Sequence, residues 1–332
     1  ALTGAIVLGV EVLSSRILTP YFGVSLYIWA SILTVTLLCL AIGYFLGGKL
    51  AKNLGEEEAK RCFILFVGIA SIALSLSAYS YPFIFPALMN IHLVAGSLIA
   101  SVILMAVPLV LFSALNPIVM VLVRSKELAK GDAGAGLVFF VSTLGSVLGV
   151  IATAFLLIPL FSNSAGLLAY ALAAALTSLP GLWHLDRMRD TARRALSCSV
   201  VALVLSMGLL VLELGFPKVR FVTAEGAVWN LLEERHSIFG TIKVVDRVDG
   251  DNSVRMYLTD GLIQDMVLPD GRSAVVFTYA ISALLNQYAA DARSLLFLGL
   301  GAGVVSQSFP AQSYRTDIVE INPNSLDIAK RH

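Results

Sequence analysis

Gly299, Gly301 and Gly303, followed about 20 positions later by Glu320, are the residues whose types and spacing spell out a chemistry. Alternate glycines leave main chain bare, so a bulky ligand can approach the backbone. A carboxylate accepts two hydrogen bonds from a vicinal diol, as on a ribose. Together they predict a nucleoside site, set against a glycine-rich turn of any α/β fold. A second group lies near the N-terminus, where Glu11 and Arg16 interrupt an apolar run. Charges inside a membrane are costly, so Glu11 is either a polar site facing other helices, able to hold a cation, or one of a pair near the interface with Arg16 snorkelling. Asn116 before Pro117 is either a helix break lining a cavity or a polar contact between helices. His92, His184, His236 and His332 share no ligand spacing, and Cys39, Cys62 and Cys198 are far apart. Neither a metal site nor a disulfide set is expected.

The glycines need a strand before them and a strand ending on the acid. Leu295–Leu298 is an apolar run of the kind found in buried parallel strands. A short helix can follow the turn, limited by Pro310, and a second strand spans Thr316–Ile321. Upstream, residues 273–290 suit a helix. The alternation in Thr241–Arg247 and Val254–Thr259, joined by Asp249-Gly250-Asp251-Asn252, predicts a β-hairpin.

The rest of the chain is of another kind. Its 332 residues are 58% hydrophobic and 14% charged, with a mean hydropathy of +0.85, against nearly a quarter charged in soluble domains. The lipid bilayer is therefore the first partner expected. A net charge of +1 leaves no basic excess for nucleic acid. Seven apolar segments, at 2–22, 25–48, 62–81, 92–123, 136–160, 164–183 and 195–215, are candidate membrane spans, the fourth long enough to tilt or to break at Pro108 or Pro117. The first shows no cleavage signature and reads as a span rather than a signal peptide. Gly43 with Gly47, and Gly145 with Gly149, have the small-xxx-small spacing of close helix packing. The expected organisation is a transmembrane helical domain at 1–216, a β-hairpin region at 217–270 and a Rossmann-like nucleoside-binding domain at 271–332. Lys49, Lys52, Lys60 and Arg61 flank the second connection, Arg124, Lys126 and Lys130 the fourth, and Arg187, Arg189, Arg193 and Arg194 the sixth. The positive-inside rule makes these connections cytoplasmic, so seven crossings place everything after Leu214 outside. A nucleoside cofactor instead calls for the cytoplasmic side.

In order along the chain, several stretches resemble the spermidine synthase family, and specifically its membrane-embedded version, in which a multi-span region precedes a class I methyltransferase-like domain. They are Glu11-Val-Leu-Ser-Ser-Arg16, Phe22-Gly23-Val24-Ser25, Ala41-Ile42-Gly43, Gly47-Gly48-Lys49-Leu50-Ala51, Ser142-Thr143-Leu144-Gly145 with Ser146-Val147-Leu148-Gly149, and Leu156-Leu157-Ile158-Pro159-Leu160. In the polar part they are His236-Ser237-Ile238-Phe239-Gly240, Leu258-Thr259-Asp260-Gly261 with Gln264, the glycine turn, and Val319-Glu320-Ile321-Asn322-Pro323. The resemblance implies an all-α transmembrane bundle, then a small β-hairpin region and an incomplete α/β Rossmann-like domain. It implies a transferase of polyamine biosynthesis that moves an aminopropyl group, or another alkyl group, from decarboxylated S-adenosylmethionine or S-adenosylmethionine to a small amine or an amphiphilic acceptor. By position Gly299, Gly301 and Gly303 would line the nucleoside, Glu320 would take its ribose hydroxyls, and Gln264 would sit at the mouth of the site or else satisfy backbone in a turn. Tyr279, with Glu11, is a candidate substrate contact. The family's catalytic aspartate is expected beyond His332. A homo-oligomer is a further expectation.

The chain departs from the soluble members at three places, at two of which they carry carboxylates. The turn has Ala302, the helix run reads Tyr279-Ala280-Ile281 in place of Tyr-His-Glu, and the first strand's lead-in has Gly240 in place of glutamine. Carboxylates are what would hold a cationic amine. The alternative is therefore a transporter of polyamines or other cations, with the synthase-like part as a sensor.

Overall fold

A computed structural model describes residues 1–125, 133–179, 190–215, 220–222, 226–310 and 312–332. Lys126, Lys130, Arg187, Arg189 and the end of the sixth apolar segment (180–183) lie outside the described residues. The chain divides into two compact units, Ala1–Phe216 and Pro217–His332.

The first unit is helical. Its elements are α1 (Leu2–Phe22), α2 (Leu26–Ala51), α3 (Glu56–Leu88), α4 (Leu93–Ser125), α5 (Ala133–Ala152, continued by a π-helical turn Thr153–Leu157 and by Ile158–Leu160), α6 (Asn163–Leu176) and α7 (Asp190–Gly215). Six stretches among the described residues are long and apolar enough to cross a membrane, on α1, α2, α3, α4, α5 and α7. The expectation of about seven is corrected to six. The chain leaves the fifth segment at Phe161, which is extended, and the helix of the sixth starts on the Ser162 cap and closes at Leu176. Its 14 residues rise about 21 Å, short of a hydrocarbon core of roughly 30 Å. Nor does α4 break at its prolines. Pro108 and Pro117 lie inside one 33-residue helix, since neighbouring helices and hydroxyls can satisfy the carbonyls that proline frees.

Small residues bring the helices together. A side chain at Gly43 of α2 would run into Val110 O and the Ser113 hydroxyl of α4, and one at Gly47 into the backbone of Ala114. Gly145 and Gly149 of α5 meet the backbone of Ala1 and Ala5 in the same way. Both spacings thus have a packing role. Val10, Leu13, Ile32, Leu74, Leu104 and Phe112 belong to the shared core. Within it, hydroxyls find partners: Ser71 Oγ donates to Ala171 O at 2.7 Å, and Tyr81 Oη pairs with Ser164 Oγ at 2.9 Å. Leucine, valine and phenylalanine point outward along α5 and α7, as a lipid-facing surface requires.

The second unit begins with a five-stranded antiparallel sheet in the order β1 (Arg220–Val222), β2 (Val228–Arg235), β3 (Ile242–Asp249), β4 (Asn252–Thr259), β5 (Leu262–Val267). The expected hairpin is β3–β4, closed by Gly250 and Asp251 between the paired Asp249 and Asn252, with Gly250 at φ +57°. The pairing shifts between β4 and β5: Tyr257 faces Asp265 and Leu258 faces Ile263, so Gln264 is an extra residue at a β-bulge. After α8 (Val276–Tyr288) come β6 (Ser294–Leu298), α9 (Val304–Gln307), β7 (Arg315–Val319) and α10 (Pro323–Arg331), with β6 and β7 paired in parallel. Pro310 lies three residues past α9. One face of the antiparallel sheet carries the buried Ile242, Val244 and Tyr257, which pack with Ile328 of α10 and Ala302 of the glycine turn. The opposite face gathers Val245, Met256 and Leu258.

Candidate functional site

β6 ends at Leu298 and the chain turns through three left-handed glycines: Gly299 at φ +104°, Gly301 at +56° and Gly303 at +82°. An L side chain is disfavoured at such angles, so the turn itself calls for glycine. Nothing lies within 4 Å of where a Cβ would stand on Gly299 or Gly301, and the space beside them is open. On the other side of Gly303, Leu300 Cδ1 and Ala329 Cβ stand at 3.6 and 3.7 Å.

Glu320 follows directly on β7 and turns back onto this loop. Its Oε2 accepts from the Leu300 amide at 2.7 Å and its Oε1 from the Asn322 amide at 2.7 Å. Gly299 N donates to Val319 O at 2.8 Å, which carries the parallel ladder into the turn. The carboxylate is half-buried, and each oxygen keeps a lone pair for a further donor. Glycines and acid thus form one hydrogen-bonded structure.

The helix after the acid ties this turn to the antiparallel sheet. Asn322, 5% exposed, caps α10 by accepting from Asn324 N at 3.2 Å, and its Nδ2 donates to Ser237 Oγ at 3.2 Å. Ser237 Oγ donates to Gly240 O at 2.8 Å and accepts from Phe239 N at 3.2 Å. Gly240, at φ +122°, has Asp260 Oδ2 only 2.8 Å from where a Cβ would be. Asp260 itself adopts φ +50°, and its Oδ1 accepts from Thr241 N at 2.9 Å. Four of the stretches singled out along the sequence therefore meet here. Tyr257 reaches the same place from β4, its hydroxyl 3.1 Å from Ser325 Oγ. Burial, then the Glu320 charge, push that hydroxyl above the usual tyrosine range.

The remaining candidates are placed as follows. Gln264 is exposed on β5 at the bulge rather than in a turn. Tyr279, on α8, is 54% exposed and donates to Ser273 O at 2.8 Å. Glu11 belongs to the other unit, half-buried beside Thr36 of α2.

Asp265 was missed by sequence reasoning. It is 4% exposed, and among the described residues it accepts only from its neighbour's amide, Met266 N, on Oδ1 at 2.9 Å. Burial pushes its carboxyl above the usual aspartate range. The bulge hides it from the sequence, because an acid beside a glutamine reads as ordinary solvated strand. No family model matches the chain, and neither a curated protein nor a solved structure matches it.

Proposed function

We propose that this is a membrane-anchored transferase whose Pro217–His332 unit takes a nucleoside sulfonium, decarboxylated S-adenosylmethionine or S-adenosylmethionine, in a Rossmann-like site and passes an alkyl group to an amine. The observation that carries this is the pairing of an open left-handed glycine turn with a carboxylate folded back over it, Glu320 on Leu300 N at 2.7 Å. The adenosyl group would lie over Gly299 and Gly301, with its ribose hydroxyls donating to the spare lone pairs of Glu320. In the transfer, the amine lone pair attacks the carbon next to the sulfonium. The C–S bond breaks with its electrons to sulfur, a neutral thioether leaves, and the new ammonium yields a proton to a base. The chain's share of this reaction is positioning and the exclusion of water.

Calorimetric titration of the full chain with decarboxylated S-adenosylmethionine, S-adenosylmethionine and methylthioadenosine tests the proposal. Binding of at least one, weakened tenfold or more in Glu320→Ala, is expected. No heat with any of the three removes it. A second reading, cation transport through the helical unit, draws on Glu11 lying beside Thr36 near the middle of α1. Labelled putrescine uptake into proteoliposomes that survives removal of 217–332 and fails in Glu11→Gln would favour it instead.

A further inference from the structure

Three carboxylates stand on the sheet face that α10 and the glycine turn cover. Glu233 is opposite Val244, Asp246 opposite Arg255, and Asp265 opposite Tyr257, and directly paired residues present their side chains to the same face. Two of the three have counter-ions. Glu233 Oε1 accepts from Arg331 Nη2 and Arg235 Nε, both at 2.8 Å, and its Oε2 lies 2.8 Å from His332 Nε2. Asp246 takes Arg255 in a two-pronged pair, at 2.7 Å from Nε and 2.9 Å from Nη2. Asp265, the most buried of them, has neither. Among the described residues its one bond is to Met266 N, and no lysine or arginine reaches it.

A carboxylate taken out of water without a cation is an unfavourable arrangement. It is also a ready receptor for a cation arriving with a ligand. The position fits: Tyr257, directly across the pair from Asp265, belongs to the cluster with Ile242, Val244 and Ile328 against which Ala302 of the glycine turn packs, and its hydroxyl reaches Ser325 on α10. Asp265 therefore lies on the sheet face that the glycine turn packs against, one strand over from Tyr257. The bulge at Gln264 sets the aim of this segment.

We infer that Asp265 is the acceptor-binding carboxylate, which takes the ammonium of an aliphatic amine next to the glycine turn. This rests on the transferase reading, and it supplies a negative charge that the sequence lacks at Ala302 and Ile281.

The test uses the full chain in lipid nanodiscs, with methylthioadenosine as probe of the donor site and putrescine as probe of the acceptor site, each titrated alone and together. Asp265→Asn keeps the acceptor for Met266 N and removes the charge. It should leave methylthioadenosine affinity within twofold and weaken putrescine at least tenfold. Asp270→Asn, at an exposed turn, should change neither. A companion measurement needs no variant: the unsubstituted chain should bind putrescine at least tenfold more tightly than 1,4-butanediol. Equal putrescine binding in Asp265→Asn, or equal binding of diamine and diol, overturns the inference while the donor site stands. Loss of methylthioadenosine binding in the unsubstituted chain, with the Asp265-dependent amine response intact, overturns the donor reading and keeps the amine site. No amine binding in any form overturns the inference.

Discussion

At the scale of single residues, two acids on one sheet face are shifted in opposite directions. Glu233 is held below the usual glutamate range, chiefly by its hydrogen bond from Arg235, with His332 and the Arg331 charge adding to it. A depressed acid contributes stability above its unfolded value that is lost as pH falls through the folded one. Glu233→Gln should therefore lower the stability of this unit at neutral pH by about 1 kcal/mol, allowing for the half-exposed arginines. The difference should shrink as pH falls below about 4.3, and thermal unfolding across that range checks it. Asp265 is raised by burial, so its charge opposes folding and the opposition eases on acidification. Asp265→Asn should unfold at the same or a higher temperature at neutral pH, converging with the unsubstituted chain in acid. A fall at neutral pH would mean the charge has a counter-ion. Gly301, at φ +56° with open space around it, separates strain from bulk. Gly301→Ala should cost about 1–2 kcal/mol, from backbone conformation alone, and should weaken methylthioadenosine binding with no atom in the way.

At the scale of elements, the helical unit depends on two small-residue seams. A side chain at Gly43 or Gly47 must displace main chain of α4, which cannot rotate away as a side chain could. Gly47→Leu should destabilise the bundle by roughly 1–3 kcal/mol or more, read as a lower melting temperature in detergent. Its effect on methylthioadenosine binding should be nil if the two units fold independently. The same spacing was visible at Gly145 and Gly149, and both pairs pack as expected. The bulge on β5 was not visible. The pattern from Leu262 to Val267, two apolar, two polar and two apolar residues, does not alternate, and only the register against Tyr257 and Leu258 reveals Gln264 as an inserted residue. Strands β1, β2 and β5 also escaped, because Trp229, Glu233 and Glu234 make β2 look like a polar connector until its partners are present.

At the scale of the whole molecule, the number of crossings decides the side on which the second unit emerges. The outward placement expected from the arginines before the last span assumed seven. Six crossings, the number of long apolar helices among the described residues, would instead return the chain to the side on which it began, at the cost of leaving Arg193 and Arg194 before the last helix on the opposite side. We therefore expect a cysteine at Asp270, an exposed turn position, to react with a membrane-impermeant thiol reagent only when the cytoplasmic face is open. Labelling of intact cells would reverse that topology and count against the proposed nucleoside site, whose ligand is scarce outside.

The amino-acid sequence by itself determined three things: that most of the chain belongs in a bilayer, where two different periodicities begin, and that bare glycine backbone precedes a lone acid. Each is a local property, set by transfer free energy, by the 3.6- and 2-residue repeats, or by the conformational freedom of one residue type. Only the tertiary structure decided that 14 residues form the sixth apolar helix, that Glu320 folds back on Leu300, and that Asp265 lies buried with no cation beside it among the described residues. Those outcomes depend on which distant groups fill or leave open the space around a side chain. Burial and partnership are properties of that neighbourhood, and no stretch of sequence contains its own.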